Sequence, residues 1–516
     1  MAETSRTLQS LKNVSAIWAG QIVSILCTFA VRMVFVRYLT QDYLGLETLF
    51  ANVLSILALA ELGIASAIVF SLYEPLANDD HESVKSIMRL FRRAYTVIGI
   101  VIAVAGCALA PHIEMFIGET PDIPYLHVYF LFFVANSSVS YFFSYKASLI
   151  TADQKNYVVS LIRYGFQVLL CIAQALVLVL TQNYFLFLTC MLIATLGQNI
   201  CYSVVANRMY PYLREKDIKP INPEVLDSIK RNVSGMVIHK TSSVVNAPVN
   251  GVVLSTFSNL GIVAIYGNYL LVMNTLGKIV DQMFDAIIAS VGNLNVTESK
   301  DRQYEVFRTS FFVNSFIVGA LTACYLPLVS PFIEFAFGPE YLFPFDVVVL
   351  FAIWFYFRGI RDAALSFISA YGLYWETKWK ALAEVIFLLC TTIPLTYYFG
   401  IRGLLIANII VQVCISLLFE GLIMHKHGLM RGAGKYFASA AVYSVVALAL
   451  CIITTFVVSF IPGSPLIRFL IGGVICVIIG FGGYFLVFCR TREYREIAGI
   501  ITSLGSRIFS NLRRRS

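Results

Sequence analysis

Charged residues are scarce in this chain of 516 residues. Only 13% of the residues are Asp, Glu, Lys or Arg, and 58% are hydrophobic, whereas about a quarter of a soluble domain is charged. A water-soluble core cannot bury that share of apolar surface, so the composition excludes a soluble globular fold. The net charge of +8 therefore does not indicate a nucleic-acid partner. Anionic membrane lipids are the expected partner of the basic residues.

The chain also lacks the residue patterns of metal sites and catalytic sites. Its 11 cysteines lie within apolar segments or at their ends, and none forms a CxxC or a Cys/His cluster with zinc spacing. Glycine-rich phosphate loops, HExxH and nucleophile elbows are missing. The predicted outer loops are too short to build an active site outside the membrane. We expect no metal, no bound cofactor and no enzymatic activity.

Long apolar segments fill most of the sequence. Fourteen of them approach or exceed the roughly 20 residues that a membrane-spanning helix needs. They predict an all-α polytopic membrane protein. The predicted spans are 14–36, 44–70, 94–113, 125–145, 158–181, 185–206, 233–257, 261–291, 309–333, 345–371, 381–400, 403–424, 437–461 and 466–489.

Lysines and arginines fall almost entirely on alternate loops between these spans. Positive charge stays on the cytoplasmic side of membrane helices, so we predict that both termini are cytoplasmic. The inner loop 207–232 is the richest in proline and charge, and it divides the spans into six and eight. The predicted organisation is an N-terminal lobe (1–206), a linker (207–232), a C-terminal lobe (233–424), two additional spans (425–489) and a basic amphipathic tail (490–516).

A weak internal similarity supports two related lobes. An aromatic residue, a small residue and an asparagine recur at 50–52 and 266–268, each following a glycine near the start of its span. Both hairpins begin and end on the inner side, which is the behaviour of a parallel repeat with its axis along the membrane normal. The pattern predicts two pseudo-symmetric six-helix lobes.

Several predicted spans contain ionisable side chains, which are costly in hydrocarbon and usually face a cavity or a partner. Arg358 and Arg361 lie in the middle of one span, and their spacing puts both on one face of a continuous helix. Asp362 can pair with Arg358, so these cations are either cavity residues or members of a structural ion pair. Near an inner helix end, Glu420 is predicted to be interfacial.

Other buried charges leave similar alternatives open. Lys278, Asp281 and Asp285 share one stripe of a predicted helix, which fits an internal bridge or a site. Glu61 is a candidate proton or cation site. Arg32 and Lys240 can either face a cavity or reach the membrane surface with their long side chains.

Pro248 lies inside a predicted span and removes one helical hydrogen bond. Asn250 and Gly251 follow it. Interrupted membrane helices are tolerated where they line a polar cavity, so this segment predicts a substrate-lining hinge. A static packing kink is the alternative.

Stretches spread from the first to the twelfth span carry a resemblance to a known family. The sequence resembles Wzx-type polysaccharide flippases of the multidrug/oligosaccharidyl-lipid/polysaccharide (MOP) transporter superfamily, in the branch found with Gram-positive polysaccharide clusters. The matching stretches are 43–68, 71–77, 144–157, 264–272, 372–375 and 399–404, together with Glu384.

The resemblance implies two six-helix lobes of the kind seen in MATE and MurJ transporters. It implies a flippase of the bacterial cytoplasmic membrane that moves undecaprenyl-pyrophosphate-linked oligosaccharide outward, working with glycosyltransferases and a polysaccharide polymerase. Arg32, Lys240 and Arg361 match basic cavity positions of the family, and Asn250 stands near a position where many relatives carry Asp. Coupling to H⁺, Na⁺ or the membrane potential is open. A cation-coupled multidrug exporter of the same fold, acting through Glu61 or Asp281, is the alternative function.

Overall fold

The structure is a computed structural model. It describes residues 2–61, 64–118, 123–215, 218–221, 223, 225–227, 229–230, 248–285, 288–497 and 499. Throughout these residues the secondary structure is helical, and no strand occurs among them, which confirms the predicted all-α class. The chain divides by internal packing into two compact units, Met1–Ala264 and Ile265–Ser516. The predicted lobe boundary at 207–232 stays a prediction.

The N-terminal unit is built from eight described helices. They are α1 (Ala2–Tyr38), α2 (Gln41–Leu57), α3 (Ile64–Ala77), α4 (His81–Leu109), α5 (Leu126–Ala152), α6 (Asn156–Thr181), α7 (Tyr184–Met209) and α8 (Pro248–Phe257). Short 3₁₀ turns at Ala58–Glu61, Ala110–Phe116 and Pro211–Arg214 follow α2, α4 and α7.

The C-terminal unit contains nine further described helices, the first of which begins just before the unit boundary. They are α9 (Leu260–Asp285), α10 (Ile288–Thr297), α11 (Lys300–Phe337), α12 (Phe345–Gly359), α13 (Asp362–Ala370), α14 (Tyr374–Ile410), α15 (Leu418–Ile423), α16 (Gly434–Ser459) and α17 (Pro465–Phe488). π-helical turns at Val411–Leu417 and Met424–Leu429 flank α15.

Ten helical segments among the described residues are long and apolar enough to cross a membrane, so the chain has the make-up of a multi-pass membrane protein. The other predicted spans are interrupted, merged or only partly described. The 3₁₀ turn at Ala58–Glu61 interrupts span 44–70, and span 345–371 breaks after Gly359. Of span 233–257, the structure describes Pro248–Phe257. Hydropathy reports composition and not backbone hydrogen bonding, so it does not register these interruptions.

Spans 381–400 and 403–424 lie in one helical segment, Trp375–Leu429, which reverses direction at Gly400. Gly400 has φ 57° and ψ −136°, a conformation that residues with a Cβ atom rarely adopt. Gly403 then packs so closely that a Cβ atom there would lie 1.8 Å from the Leu395 carbonyl oxygen. The segment is therefore a tight hairpin of two crossings, as the two predicted spans require.

Each unit packs its longest apolar helices together. In the N-terminal unit, α5 contacts α4 and α7, and α1 lies along α6. In the C-terminal unit, α11 packs against α12, α16 and α17. Helices α16 and α17 therefore complete the core around α11.

The first half of the predicted linker is docked on the N-terminal unit. Lys85, whose side chain is 3% exposed, places its Nζ 2.7 Å from a Glu215 carboxylate oxygen. The Ser86 hydroxyl donates to the Lys219 carbonyl at 2.8 Å, and the rings of His81 and Tyr212 stack with centroids 4.2 Å apart. The linker is therefore attached to the N-terminal unit as far as these contacts. A hinge within the linker would lie in the residues that follow them.

Candidate functional site

Arg361 lies where the predicted tenth span breaks. Helix α12 ends at Gly359 and α13 begins at Asp362, so Arg361 belongs to the turn between two helices. The expectation of one continuous helix through Arg358 and Arg361 is therefore wrong. The two guanidinium groups contact different partners.

The Arg361 side chain is held by a carboxylate from a distant part of the chain. Its Nε and Nη2 donate to the two oxygens of Glu420 at 2.8 and 2.5 Å, and its Nη1 donates to Gln412. Arg361 is 6% exposed and Glu420 is 1% exposed, so the protein encloses both side chains, and the predicted depth of Glu420 near an interface stays a prediction. Two parallel N–H···O bonds are the strongest arrangement of this pair.

A second ion pair joins the first. Lys380 Nζ lies 2.6 Å from Glu384 and 2.8 Å from Glu420, and the Ser416 hydroxyl donates to Glu384 at 2.9 Å. We call Arg361, Lys380, Glu384 and Glu420 the buried charge network. It contains two cations and two carboxylates, so its formal charge is zero.

A neutral network has consequences for binding. Buried ions tolerate the loss of water only when each is paired and hydrogen-bonded, and here each charged group has an opposite partner. The positive charge of Arg361 is therefore compensated within the unit. In this conformation Arg361 joins three helical segments and does not present an uncompensated charge to an anion.

Arg358 is in a different situation. Its Nη1 donates to the Asn274 side-chain oxygen at 2.7 Å, and its guanidinium lies 3.9 Å from the position where Gly277 would carry a Cβ atom. Arg358 is half-buried and forms no salt bridge with any carboxylate that the structure describes. Its expected pairing with Asp362 is not a direct ion pair. This guanidinium is the best-placed cation for an anionic ligand in the C-terminal unit.

The remaining predicted charges of this unit lie on α9 and at the start of α13. Asp362 is influenced by the charges of Asp281, Arg361 and Arg358. Lys278 is exposed and forms no salt bridge with a described carboxylate, so an internal bridge from Lys278 is not observed there. Asp285 is the last residue of α9, and its side chain lies outside the described part of the chain.

In the N-terminal unit, Arg32 lines a cavity of about 210 Å³. Glu47 lines the same cavity and feels the charge of Arg32. Gln167 and Gln174 add amide groups to its wall. Arg32 thus lines a partly open cavity whose wall combines apolar side chains with a carboxylate and two amides.

Glu61 occupies the 3₁₀ turn that interrupts the second predicted span. The Tyr95 hydroxyl donates to its carboxylate at 2.5 Å, and Tyr141 is close enough to feel the charge of Glu61. A carboxylate that accepts from a phenol at a helix break is a candidate proton or cation site. The sequence signals Glu61 but not its tyrosine partners.

The predicted hinge begins at the edge of the described chain. Pro248 is the first described residue of α8, so a bend there stays a prediction, and Lys240 lies outside the described residues. Gly251 packs against α2, where an added Cβ atom would lie 2.1 Å from the Asn52 amide nitrogen. Asn250 is buried beside it. In this conformation Gly251 is a close-packing residue.

Lys380, Gln412, Ser416 and Asn274 were not singled out from the sequence. The spacing of Lys380 and Glu384, one helical turn apart, was the one available signal. Their connection to Arg361 depends on the reversal at Gly400, which brings residues far apart in sequence together.

The fold is similar to solved membrane transporters. The inward closed conformation of the lipid II flippase MurJ aligns with a TM-score of 0.66 and 13% identity, over 94% of this chain and 99% of that chain. An inward-facing multidrug resistance MATE family transporter of the MOP superfamily aligns with a TM-score of 0.64 and 14% identity, over 78% and 96% of the two chains. A variant of the MATE transporter VcmN from Vibrio cholerae gives a TM-score of 0.54, 14% identity, and coverage of 83% and 99%.

No family model and no curated protein sequence matches this chain. At these identities the alignments show the fold alone. The protein has the all-helical fold that MATE transporters and MurJ share, which confirms the predicted fold class. These neighbours are transporters and flippases rather than enzymes.

Proposed function

We propose that the protein is a flippase that moves an anionic lipid-linked oligosaccharide from the inner to the outer leaflet of a bacterial cytoplasmic membrane. The shared fold supports a transporter. The MurJ alignment covers 94% of this chain, against 78% for the MATE transporter. This difference in coverage favours a lipid-linked substrate, with undecaprenyl pyrophosphate as the carrier.

The observation that carries the proposal is the environment of Arg358. It is a half-buried guanidinium with a neutral hydrogen-bond partner, Asn274, and no described salt bridge. Burying a pyrophosphate without compensation is prohibitively costly. Arg358 supplies one fixed positive charge, and Arg32 and Lys240 are the proposed cations from other spans.

The proposed cycle is alternating access. The charged head of the carrier enters from the inner side while the polyprenyl chain stays in lipid. The two lobes then rock about the part of the linker beyond the docked residues 210–215 and 218–221. Arg361 has a positioning role in this scheme, because Glu420 already compensates its charge.

The experiment is a flipping assay with purified protein in proteoliposomes. A fluorescent undecaprenyl-pyrophosphate oligosaccharide is loaded, and its exposure to a membrane-impermeant quencher is followed. We expect Arg358→Gln to reduce the rate at least tenfold and Arg358→Lys to retain part of it. Arg468→Gln, which removes a cation that bonds the Gly463 carbonyl at a predicted outer helix start, is the matched control. Wild-type flipping by Arg358→Gln with normal folding would overturn the assignment.

A multidrug exporter is the second candidate function. The Glu61 carboxylate between Tyr95 and Tyr141 and the MATE likeness favour it. Uptake of a fluorescent organic cation into the same proteoliposomes under a proton or sodium gradient distinguishes the two. Transport of the cation that requires Glu61, without flipping of the lipid, would establish the exporter. Neighbouring genes for glycosyltransferases and a polymerase would support the flippase and its proposed partners.

A further inference from the structure

The C-terminal unit also contains a cavity, and this cavity has no role in the proposed transport. Its volume is about 340 Å³, at the lower end of the roughly 300–1,000 Å³ typical of ligand pockets. Neither Arg358 nor any member of the buried charge network lines it. Aromatic rings of Tyr304, Phe307 and Phe311 form its walls, and Arg308, Lys435 and Glu493 also line it. The charge pattern of the sequence places this end of the unit on the cytoplasmic side.

Two buried polar atoms of this cavity have no hydrogen-bond partner among the described residues. They are the His425 Nε2 and the Tyr436 hydroxyl, on residues that are 1% and 4% exposed. Buried polar groups are nearly always satisfied, and each exception calls for an explanation such as a ligand or water. Both residues line the cavity, and a side-chain rotation would expose these two atoms, which have almost no accessible surface in this conformation, to a ligand there.

The chemistry of these two atoms is specific. His425 Nδ1 lies 2.8 Å from the Gly421 carbonyl oxygen. A carbonyl oxygen only accepts, so Nδ1 carries the proton and Nε2 of the neutral ring is an acceptor. The Tyr436 hydroxyl can donate or accept. Together they match a ligand hydroxyl group, which donates to Nε2 and accepts from the phenol.

The cations select for negative charge. Arg308 pairs with the carboxylate of Glu493 from the C-terminal tail. Lys435 is exposed and forms no ion pair with any residue in the described part of the chain. The tail is held by two further contacts, since the Thr309 hydroxyl donates to Glu496 at 2.7 Å and Arg492 donates to Glu305 at 2.5 Å. Glu493 thus supplies an anion to Arg308 from within the chain.

We propose that this cavity binds the headgroup of an anionic glycerophospholipid that carries free hydroxyls, as phosphatidylglycerol does. The phosphate replaces the Glu493 carboxylate at Arg308 and is attracted by Lys435. The headgroup hydroxyls bond His425 Nε2 and the Tyr436 phenol, and the aromatic walls contact the glycerol carbons. Basic pockets between membrane helices on the cytoplasmic side are suited to anionic headgroups.

Binding of this lipid competes with docking of the tail. The phosphate and Glu493 use the same guanidinium, so lipid binding weakens the contact between Arg308 and residues 491–497. The cavity therefore links the lipid composition of the inner leaflet to the position of the tail. Removal of the Glu493 charge should tighten lipid binding.

The test measures thermal stabilisation of the purified full-length protein in detergent as lipid is added. We expect stabilisation by phosphatidylglycerol at lower concentration than by phosphatidic acid, which has phosphate but no headgroup hydroxyl. Phosphatidylcholine and inorganic phosphate at equal concentration should have little effect. Arg308→Gln and Lys435→Gln should each weaken the phosphatidylglycerol response about fivefold, and Glu493→Gln should strengthen it. His425→Phe should abolish the preference for phosphatidylglycerol over phosphatidic acid.

Lys426→Gln is the matched control, because Lys426 is exposed on the same segment and does not line the cavity. If His425→Phe does not fold, the Arg308→Gln and Lys435→Gln variants still test the proposal. Equal stabilisation by phosphatidylglycerol and phosphatidylcholine would overturn the proposal, as would an unchanged response in both Arg308→Gln and Lys435→Gln. Stabilisation by inorganic phosphate but not by phosphatidylglycerol would show that the cavity binds a free anion, and it would overturn the lipid proposal. The assay does not measure transport, so its outcome is independent of the proposed flipping activity.

Discussion

Lys380 and Glu420 lie at equal distances along the chain from Gly400, and Lys380 Nζ is 2.8 Å from a Glu420 carboxylate oxygen. The hydrogen bond from Ser416 to Glu384 obeys the same symmetry about Gly400. The positive φ of one glycine therefore sets the register in which these charged side chains meet. A change of backbone conformation at Gly400 would therefore displace the Lys380–Glu420 and Ser416–Glu384 contacts together.

Gly400→Ala should destabilise the C-terminal unit by about 1–3 kcal/mol, the usual cost of holding a residue with a Cβ atom in a glycine-favoured conformation. The measurement is the thermal unfolding midpoint in detergent. Gly432→Ala is the control, because no atom lies within 4 Å of a Cβ atom built there and its φ is not positive. Equal midpoints for the two variants would contradict the role given to Gly400.

Glu420→Gln should be among the most destabilising single changes in the chain. It leaves Arg361 and Lys380 with one carboxylate for two buried cations, and removal of one partner from a buried pair costs about 3–5 kcal/mol. Thermal unfolding again measures the change. Asp346→Asn is the comparison, because the Asp346–Arg402 pair is exposed and surface pairs contribute little. If both variants unfold at the wild-type temperature, the network does not stabilise the unit.

The double variant Arg361→Met/Glu420→Met separates structure from substrate binding. Replacing both members of a buried ion pair by apolar side chains is often neutral or stabilising, and Lys380 keeps Glu384 as its partner. We expect the double variant to be more stable than Arg361→Met alone and to retain lipid flipping. A stable but inactive double variant would show that Arg361 contacts the substrate, as the family resemblance implies.

Lys85→Gln should release the first half of the linker from the N-terminal unit. The change removes the ion pairs of Lys85 with Glu215 and Glu82. The Ser86–Lys219 hydrogen bond then holds the linker without the adjacent Lys85–Glu215 contact. Limited trypsin digestion should then cleave after Arg214, in the docked segment, several times faster than in the wild type, whereas Lys219 precedes Pro220 and resists trypsin. Arg89→Gln, a change on the same helix without a described salt bridge, is the control. Unchanged cleavage would show that the linker is held by other contacts.

Local sequence properties predicted most of the helices. Apolar length and the alternation of basic loops identified every helical segment that is long enough to cross a membrane, and the hairpin at Gly400 coincides with the predicted gap between two spans. The interruptions at Ala58–Glu61 and after Gly359 were not predicted. Both lie within segments that are apolar on average although they contain charged residues, and average hydropathy does not distinguish a turn from a helix.

The functional roles of the candidate site residues stay predictions. Arg32, Glu61 and Arg358 are each half-buried and lie beside other polar groups. Glu420 was placed at the membrane surface because it lies near a predicted helix end, yet it is buried and holds Arg361. A position along a span gives depth only, and the partner of a buried charge depends on which helices pack together.

The sequence by itself determined that the chain folds into many apolar helices with its basic loops on one side, because hydrophobic length and charge are properties of consecutive residues. The tertiary structure alone decided that Glu420 pairs with Arg361, while among the described residues Arg358 hydrogen-bonds the Asn274 amide and forms no salt bridge. Electrostatic pairing acts over a few ångströms in space, and those neighbours come from residues 59 and 84 positions away along the chain.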